Sequence, residues 1–287
     1  MQSTPLQPLR VADLLDLAIR LYRAHAIKLL QLCALLIVPM TLVRLAFITS
    51  PTINQLFASL QSIVLLPLLG AVLTLASARA YWHETISSSQ VYRSGARRLL
   101  SVLGAFMLEG LIMVLPLAVV GGVMVAVVLA ASSASPLAWI VPLLLGVPIY
   151  VAISAKYAVM VPVIMLEQVG ASTGLSRSWR LTSGRFWPVV VIVVATSLLT
   201  IVVAQLPSTS LAYFSARASA SGATVPWLAT AQLVLEQVGL LIALPLQYLI
   251  PTVLYYDLRI RQEGLDLEQA GQAAYALASR AGEASGD

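Results

Sequence analysis

The sequence predicts an all-α fold, a polytopic membrane bundle of about six transmembrane helices arranged as three hairpins, with short amphipathic helices on its cytoplasmic side. Three observations predict it. Charge is scarce, since 59% of the 287 residues are hydrophobic and only 10% are Asp, Glu, Lys or Arg, against about 25% in a soluble domain. Several apolar runs reach the roughly 20 residues a helix needs to cross the hydrocarbon core. Basic residues gather in alternate connecting segments and leave the others almost bare.

A single domain over residues 1–265 is expected to hold an amphipathic helix over about 9–25 and spans over 29–48, 62–82, 99–130, 137–166, 187–206 and 228–256, followed by a polar cytoplasmic tail over 266–287. The N-terminal segment shows helical periodicity. Val11, Leu14, Leu15, Ala18 and Tyr22 share one face, while Asp13, Asp16, Arg20 and Arg23 share another. Asp16 and Arg20 form an acid-before-base i,i+4 pair. The pattern suits a helix lying in the interface plane, in preference to a solvated helix that merely leads into the first span. No apolar core precedes a small-residue cleavage site, so the segment is not read as a signal peptide. The third and fourth spans exceed the length needed to cross and are expected to tilt or kink. Pro116, Gly121 and Gly122 interrupt the third, Pro142, Pro148 and Pro162 the fourth, and Pro245 and Pro251 the sixth. The tail is expected to form a short helix over 266–280.

Charge sets the orientation. Arg10, Arg20, Arg23 and Lys28, then Arg93, Arg97 and Arg98, then Arg177, Arg180 and Arg185, then Arg259 and Arg261 occupy one set of segments. The opposite loops, near 49–61, 131–136 and 207–226, contain only Arg217. Cytoplasmic loops collect Lys and Arg, so the first set and both termini are expected in the cytoplasm. The membrane thus accounts for the net charge of +5 without nucleic acid. Fifteen Arg against two Lys point to a bacterial source and its inner membrane. Tyr81, Trp82, Phe186, Trp187, Tyr255 and Tyr256 flank the cytoplasmic ends, where amphipathic rings favour the headgroup level.

Three basic segments are alike. Arg23-x4-Lys28, Arg93-x4-Arg98 and Arg180-x4-Arg185 each precede two large apolar residues and an odd-numbered span. Three tandem units, each a basic helix and a hairpin, follow from this; transporter-like symmetry and plain duplication both produce such a pattern.

Charge inside a span is costly and marks a functional site by default. Glu109, Lys156, Arg44 and Glu236 fall within the spans. Glu109 stands 11 residues beyond Arg98, roughly 16 Å along a helix and near the middle of a core about 30 Å thick. Lys156 reaches a similar depth from the other strand of the hairpin, so a buried Glu109–Lys156 pair is expected; the alternative is that Lys156 snorkels to the interface. Arg44 and Glu236 lie near the outer surface and are read as wetted interface residues, with no pairing required.

Chemistry-bearing motifs are sparse. Cys33 is the single cysteine, and the two histidines, His25 and His83, lack second ligands at metal spacing. No phosphate-binding loop, nucleophile elbow or dinucleotide fingerprint occurs. No cofactor and no metal site is expected, and a lone carboxylate at Glu109 does not make a catalytic constellation.

Three segments carry a family resemblance: Pro8 to Asp16 (PLRVADLLD), Ser176 to Trp187 (SRSWRLTSGRFW) and Tyr255 to Glu268 (YYDLRIRQEGLDLE). Together they resemble the membrane domain of the glycerophosphoryl diester phosphodiesterase family. In some relatives that domain is joined to a soluble phosphodiesterase barrel carrying the hydrolytic site. No barrel is present in these 287 residues, so the resemblance implies a stand-alone membrane fold and not the hydrolytic activity. Within the signatures, Asp257 with Arg261 and Arg259 with Glu263 have i,i+4 spacing, and Gly264 is placed to cap the last helix. Arg177, Arg180 and Arg185 have two readings, lipid phosphates or carboxylates of neighbouring helices, since guanidinium suits both; the second is preferred.

The expected function is a non-catalytic scaffold or accessory subunit. Its basic helices, carrying Arg20, Arg23, Lys28, Arg93, Arg97, Arg98, Arg177, Arg180 and Arg185, would bind anionic lipid of the phospholipid bilayer and other membrane proteins. The alternative is a transporter or lipid-handling protein with a midplane site around Glu109; an intramembrane enzyme acting on lipid headgroups has the least support.

In a Cys33→Ser background, a cysteine at Ser89 is expected to react with a membrane-impermeant maleimide only in inverted vesicles, and one at Thr49 only in spheroplasts. Labelling of both from the same side would refute the hairpin topology.

Overall fold

In lipid, every backbone N–H and C=O must find a partner within the protein, which leaves a helical chain few ways to stop. The computed structural model, described here for residues 9–130, 137–220 and 226–264, accordingly consists of long helices joined by short breaks, and those described residues contain no strand. Helix α1 spans Val11–Ala46. Helix α2 spans Pro51–Tyr81, with a π turn at Gln61–Leu65. Helix α3 spans Ser88–Ala130 and α4 Leu137–Tyr157. Two short helices follow, α5 at Met160–Leu166 and α6 at Ala171–Ser183. Helix α7 begins at Phe186, passes a π turn at Ile201–Gln205 and ends at Ala220. Helix α8 spans Pro226–Glu263. Six of the helical runs are long and apolar enough to cross a membrane.

The helices overrun the expected spans. The amphipathic helix expected over 9–25 is continuous with the first span, because nothing between Val11 and Lys28 breaks a helix. Its apolar face does not lie on headgroups either. Leu14, Ala18 and Leu21 are buried in the core, packed with residues of α8. The presumed loop at 49–61 is largely helical, since Pro51 has no N–H to lose at a first turn. The presumed loop over 207–226 is helical through Ala220. The basic segment before the third span begins α3 itself, whereas the one before the fifth is a separate helix, α6, which stops at Gly184. The polar tail and the loop at 131–136 lie outside the described residues.

Proline decides the break in the fourth span. Pro162 can donate no hydrogen bond to the carbonyl four residues earlier, and its ring crowds that turn. The helix stops at Tyr157 and restarts at Met160. The Lys156 carbonyl receives two hydroxyls from α6 instead: Ser178 Oγ donates at 3.0 Å and Thr182 Oγ1 at 3.1 Å. At the chain's other helix stops, His83 and Gln168 take positive φ of 55° and 57°, and Gly264, at φ 64°, follows the last residue of α8.

Helix α8 is the hub. Its Leu249, Ile250, Val253, Leu254, Tyr255 and Leu258 pack with Leu14, Leu29 and Leu32 of α1, with Leu69, Val72 and Leu73 of α2, and with Val189 and Ile192 of α7. A second cluster joins Ala71 of α2, Val102 and Ala105 of α3, Tyr157, Ile164 and Met165, and Leu175 of α6. Lipid tails are as apolar as leucine, so association rests on close packing and interhelical hydrogen bonds. Small residues supply the closeness. A Cβ at Gly239 would stand 2.5 Å from the Ala204 Cα, and one at Gly70 2.6 Å from the Tyr248 ring. Gly121 and Gly122 serve no such contact, as nothing lies within 4 Å of either Cβ position. Leu100, Leu111, Leu115 and Val119 leave much of α3 exposed and apolar.

Gly239→Val should force α7 from α8 and lower unfolding stability by about 1–3 kcal/mol. Gly110→Ala meets open space and should instead gain up to about 1 kcal/mol of helix propensity. Unfolding in mixed micelles reads both; an unchanged Gly239→Val would refute the close contact.

Candidate functional site at the basic end

The last two turns of α8 project four charged side chains, two bases, Arg259 and Arg261, between two acids, Asp257 and Glu263. Both i,i+4 pairs form: Arg261 Nε donates to Asp257 at 2.9 Å, and Arg259 Nε to Glu263 at 3.0 Å. Each pair then reaches another part of the chain. Asp257 accepts the Leu9 N–H at 2.8 Å, while Arg261 donates to the Leu9 carbonyl at 2.5 Å. The entry to α1 is thereby held by two charged side chains. Glu263 accepts from Arg177 of α6 at 2.7 Å, and Arg177 Nε also donates to both oxygens of Glu167, at 3.0 and 3.2 Å. Tyr255 Oη donates to Glu167 at 3.0 Å and accepts from Arg259 at 3.3 Å. Gln262 adds a bond to the Leu181 carbonyl at 2.5 Å. The bond to Glu263 raises the Arg177 pKa above its ordinary value, with burial opposing and the bonds to Glu167 adding to the rise. Arg177 therefore stays a cation, and it is spent on the protein's own carboxylates.

The other cations differ. Arg23, Lys28, Arg93, Arg97 and Arg180 are exposed. Arg20 is exposed too, 3.4 Å from an equally open Asp16, where such a pair contributes little. Arg98 and Arg185 are half-buried. None of these residues takes part in the clamp.

The expected Glu109–Lys156 pair does not form. Lys156 stands one residue before the end of α4, and its ammonium reaches α6: Nζ is 3.1 Å from Ser183 Oγ, 4.9 Å from the Trp179 ring centre and 5.0 Å from that of Phe186. Electron-rich ring faces and a hydroxyl at the helix break attract it more cheaply than a carboxylate deeper in the bundle. Glu109 is half-buried, within electrostatic reach of the Tyr157 and Tyr248 phenols. No hydrogen bond or ion pair joins it to another described residue.

Arg44 and Glu236 are not simply wetted. Arg44 is buried, 7% exposed, and binds Asn54 Oδ1 at 3.2 Å, Gln61 Oε1 at 3.2 Å and Glu236 Oε1 at 3.5 Å. Gln61 Nε2 passes the chain on to Gln237 Oε1 at 2.9 Å. This network joins α1, α2 and α8 at the end opposite the clamp. The aromatic belt also needs correction. Trp187 is exposed, but Tyr255 and Tyr256 are buried, and Tyr256 stacks on Tyr81 at 4.6 Å.

Sequence reasoning missed Glu167, Gln61, Gln237, Ser178 and Thr182. The two glutamines gave a signal, because an amide inside an apolar run must find a partner. Glu167, Ser178 and Thr182 gave none, since their roles depend on where α6 folds back.

Arg177→Met should leave Glu167 and Glu263 short of a cation and cost about 2 kcal/mol. Arg177→Lys should recover only part of it, because an ammonium lacks the guanidinium fork. Unfolding in micelles measures the order; equal stability of all three proteins would refute the clamp.

Comparison with curated proteins and with solved structures finds no match. A family model does match, over a stretch that holds α4 to α8 and both the Trp179 and the closing signatures, while the opening signature lies outside it. Residues 133–273 match the family model described as the membrane domain of glycerophosphoryl diester phosphodiesterase, the same family that the Ser176–Trp187 and closing signatures resemble.

Proposed function

We propose that this membrane protein is a non-catalytic scaffold or accessory subunit that binds anionic lipid and partner proteins at its basic end, which faces the cytoplasm of a bacterial inner membrane. One observation carries the reading. The charges of the closing signature are consumed internally, while Arg23, Lys28, Arg93, Arg97 and Arg180 remain exposed. Open cations on a firmly held fold, an exposed basic rim, suit docking, since each Lys or Arg near an anionic surface contributes about 1 kcal/mol. Arg93 and Arg97 are four residues apart and so share a face of α3. The matched family model describes the membrane domain of an enzyme family and not its catalytic domain, which also favours a supporting role.

A second reading has its own observation. Glu109, half-buried and without a polar partner among the described residues, suits a transporter or lipid-handling site, because an unpaired carboxylate at that depth is costly unless used.

In nanodiscs, Arg93→Gln with Arg97→Gln is expected to lose about 2 kcal/mol of the preference for phosphatidylglycerol over phosphatidylcholine, read by competitive lipid exchange. An unchanged preference would remove the rim from the reading. Loss of solute or lipid movement in Glu109→Gln proteoliposomes, with the fold intact, would favour the second reading.

A further inference from the structure

A groove opens beside the clamp, between the first turns of α1 and α7, with α8 as its floor. Leu9, Val11 and Leu14 form one wall and Pro188, Val189 and Ile192 the other; Leu254 and Leu258 lie beneath. Little of it is enclosed: the space open to a water-sized sphere is about 40 Å³, so it is a shallow furrow in the surface. A ligand seated there would lie along the furrow, with the rest of its length in the surrounding bilayer. Three charged residues, Arg10, Arg185 and Asp257, line it as well.

The charges are unequal in availability. Asp257 already accepts from Arg261 and from the Leu9 N–H, so its charge is matched within the protein. Neither Arg10 nor Arg185 makes an ion pair with another described residue. The groove therefore presents two uncommitted cations above an apolar trough. Its depth in the bilayer is marked by Trp187, next to Pro188 and 74% exposed, since such an indole favours the headgroup level. A soluble anion would leave the trough unfilled, and an apolar ligand would leave both cations unmatched.

We infer that this groove holds one anionic phospholipid of the surrounding bilayer, its phosphate between Arg10 and Arg185 and the start of an acyl chain along Val11, Val189 and Ile192. This rests on the anionic-lipid reading above and adds to it a single built site, distinct from the exposed rim. Planar guanidinium forks bind phosphate oxygens in pairs. A zwitterionic headgroup would bring its ammonium against the same cations, so phosphatidylglycerol should bind better than phosphatidylcholine.

Native mass spectrometry of the full chain in detergent, titrated with dioleoyl phosphatidylglycerol or dioleoyl phosphatidylcholine, tests the site. The first equivalent of phosphatidylglycerol should bind about tenfold tighter than phosphatidylcholine. Arg10→Gln with Arg185→Gln should weaken that first equivalent about tenfold and leave later ones unchanged. Val11→Trp, which fills the groove from its half-buried edge, should block the first equivalent with both arginines present. Circular dichroism melting establishes that each variant is folded. Wild-type binding of the first equivalent by both variants overturns the groove. So does displacement of the lipid by excess inorganic phosphate, which would make the site a simple oxyanion site. If Arg93→Gln with Arg97→Gln removes all anionic preference while Arg10→Gln with Arg185→Gln changes nothing, the groove fails and the rim reading stands. If the wild type does not distinguish the two lipids, both readings fail.

Discussion

Arg177 donates to Glu167 on one side and to Glu263 on the other, and so connects the end of α5, the middle of α6 and the last turn of α8 through one side chain. The register of α6 against α8 is set by that contact. With α6 held there, Ser178 and Thr182 meet the Lys156 carbonyl that the helix break would otherwise orphan. The same placement puts Trp179 and Ser183 in reach of the Lys156 ammonium. An unmet carbonyl in this setting would cost several kcal/mol, so the ion-pair clamp and the proline break depend on each other.

A second lock lies at the far end of the bundle. Arg44, Asn54, Gln61, Glu236 and Gln237 connect the far ends of α1 and α8 with the first turns of α2. The π turn of α2 begins at Gln61 itself, and such turns redirect side chains by admitting one extra residue. Between the two locks the contacts are apolar and close, carried by small residues such as Gly70 and Gly239. The bundle is thus tied by polar bonds at both ends, as expected where burial of leucine against leucine gains little over burial against lipid.

This division of labour bears on function. The charges that look most distinctive in the sequence, those of the closing signature, hold the fold together. Among the cations left outside the clamp are Arg10 and Arg185 at a groove, and the exposed Arg23, Lys28, Arg93, Arg97 and Arg180. A surface whose fixed charges are satisfied internally presents its spare ones in a defined arrangement, which favours recognition of phosphate at the membrane surface over chemistry upon it.

By itself the sequence determined the helical class, the six apolar runs, the concentration of Arg at alternate connections and the i,i+4 pairs of α8, because each depends on local composition or spacing. It also carried the family signatures in the matched half of the chain. Only the tertiary structure decided how far each helix continues, since that depends on whether a neighbour can satisfy the groups exposed by a break. It decided that Lys156 turns to Trp179 and leaves Glu109 unpaired, and that Arg44 is buried against Glu236, because the choice among partners for a charge is made by which helices meet. The clamp between Glu167, Arg177 and Glu263 belongs to the same class: the spacing singled out Arg177 and Glu263 separately, but only the return of α6 against α8 joins them, with Glu167 as the third member.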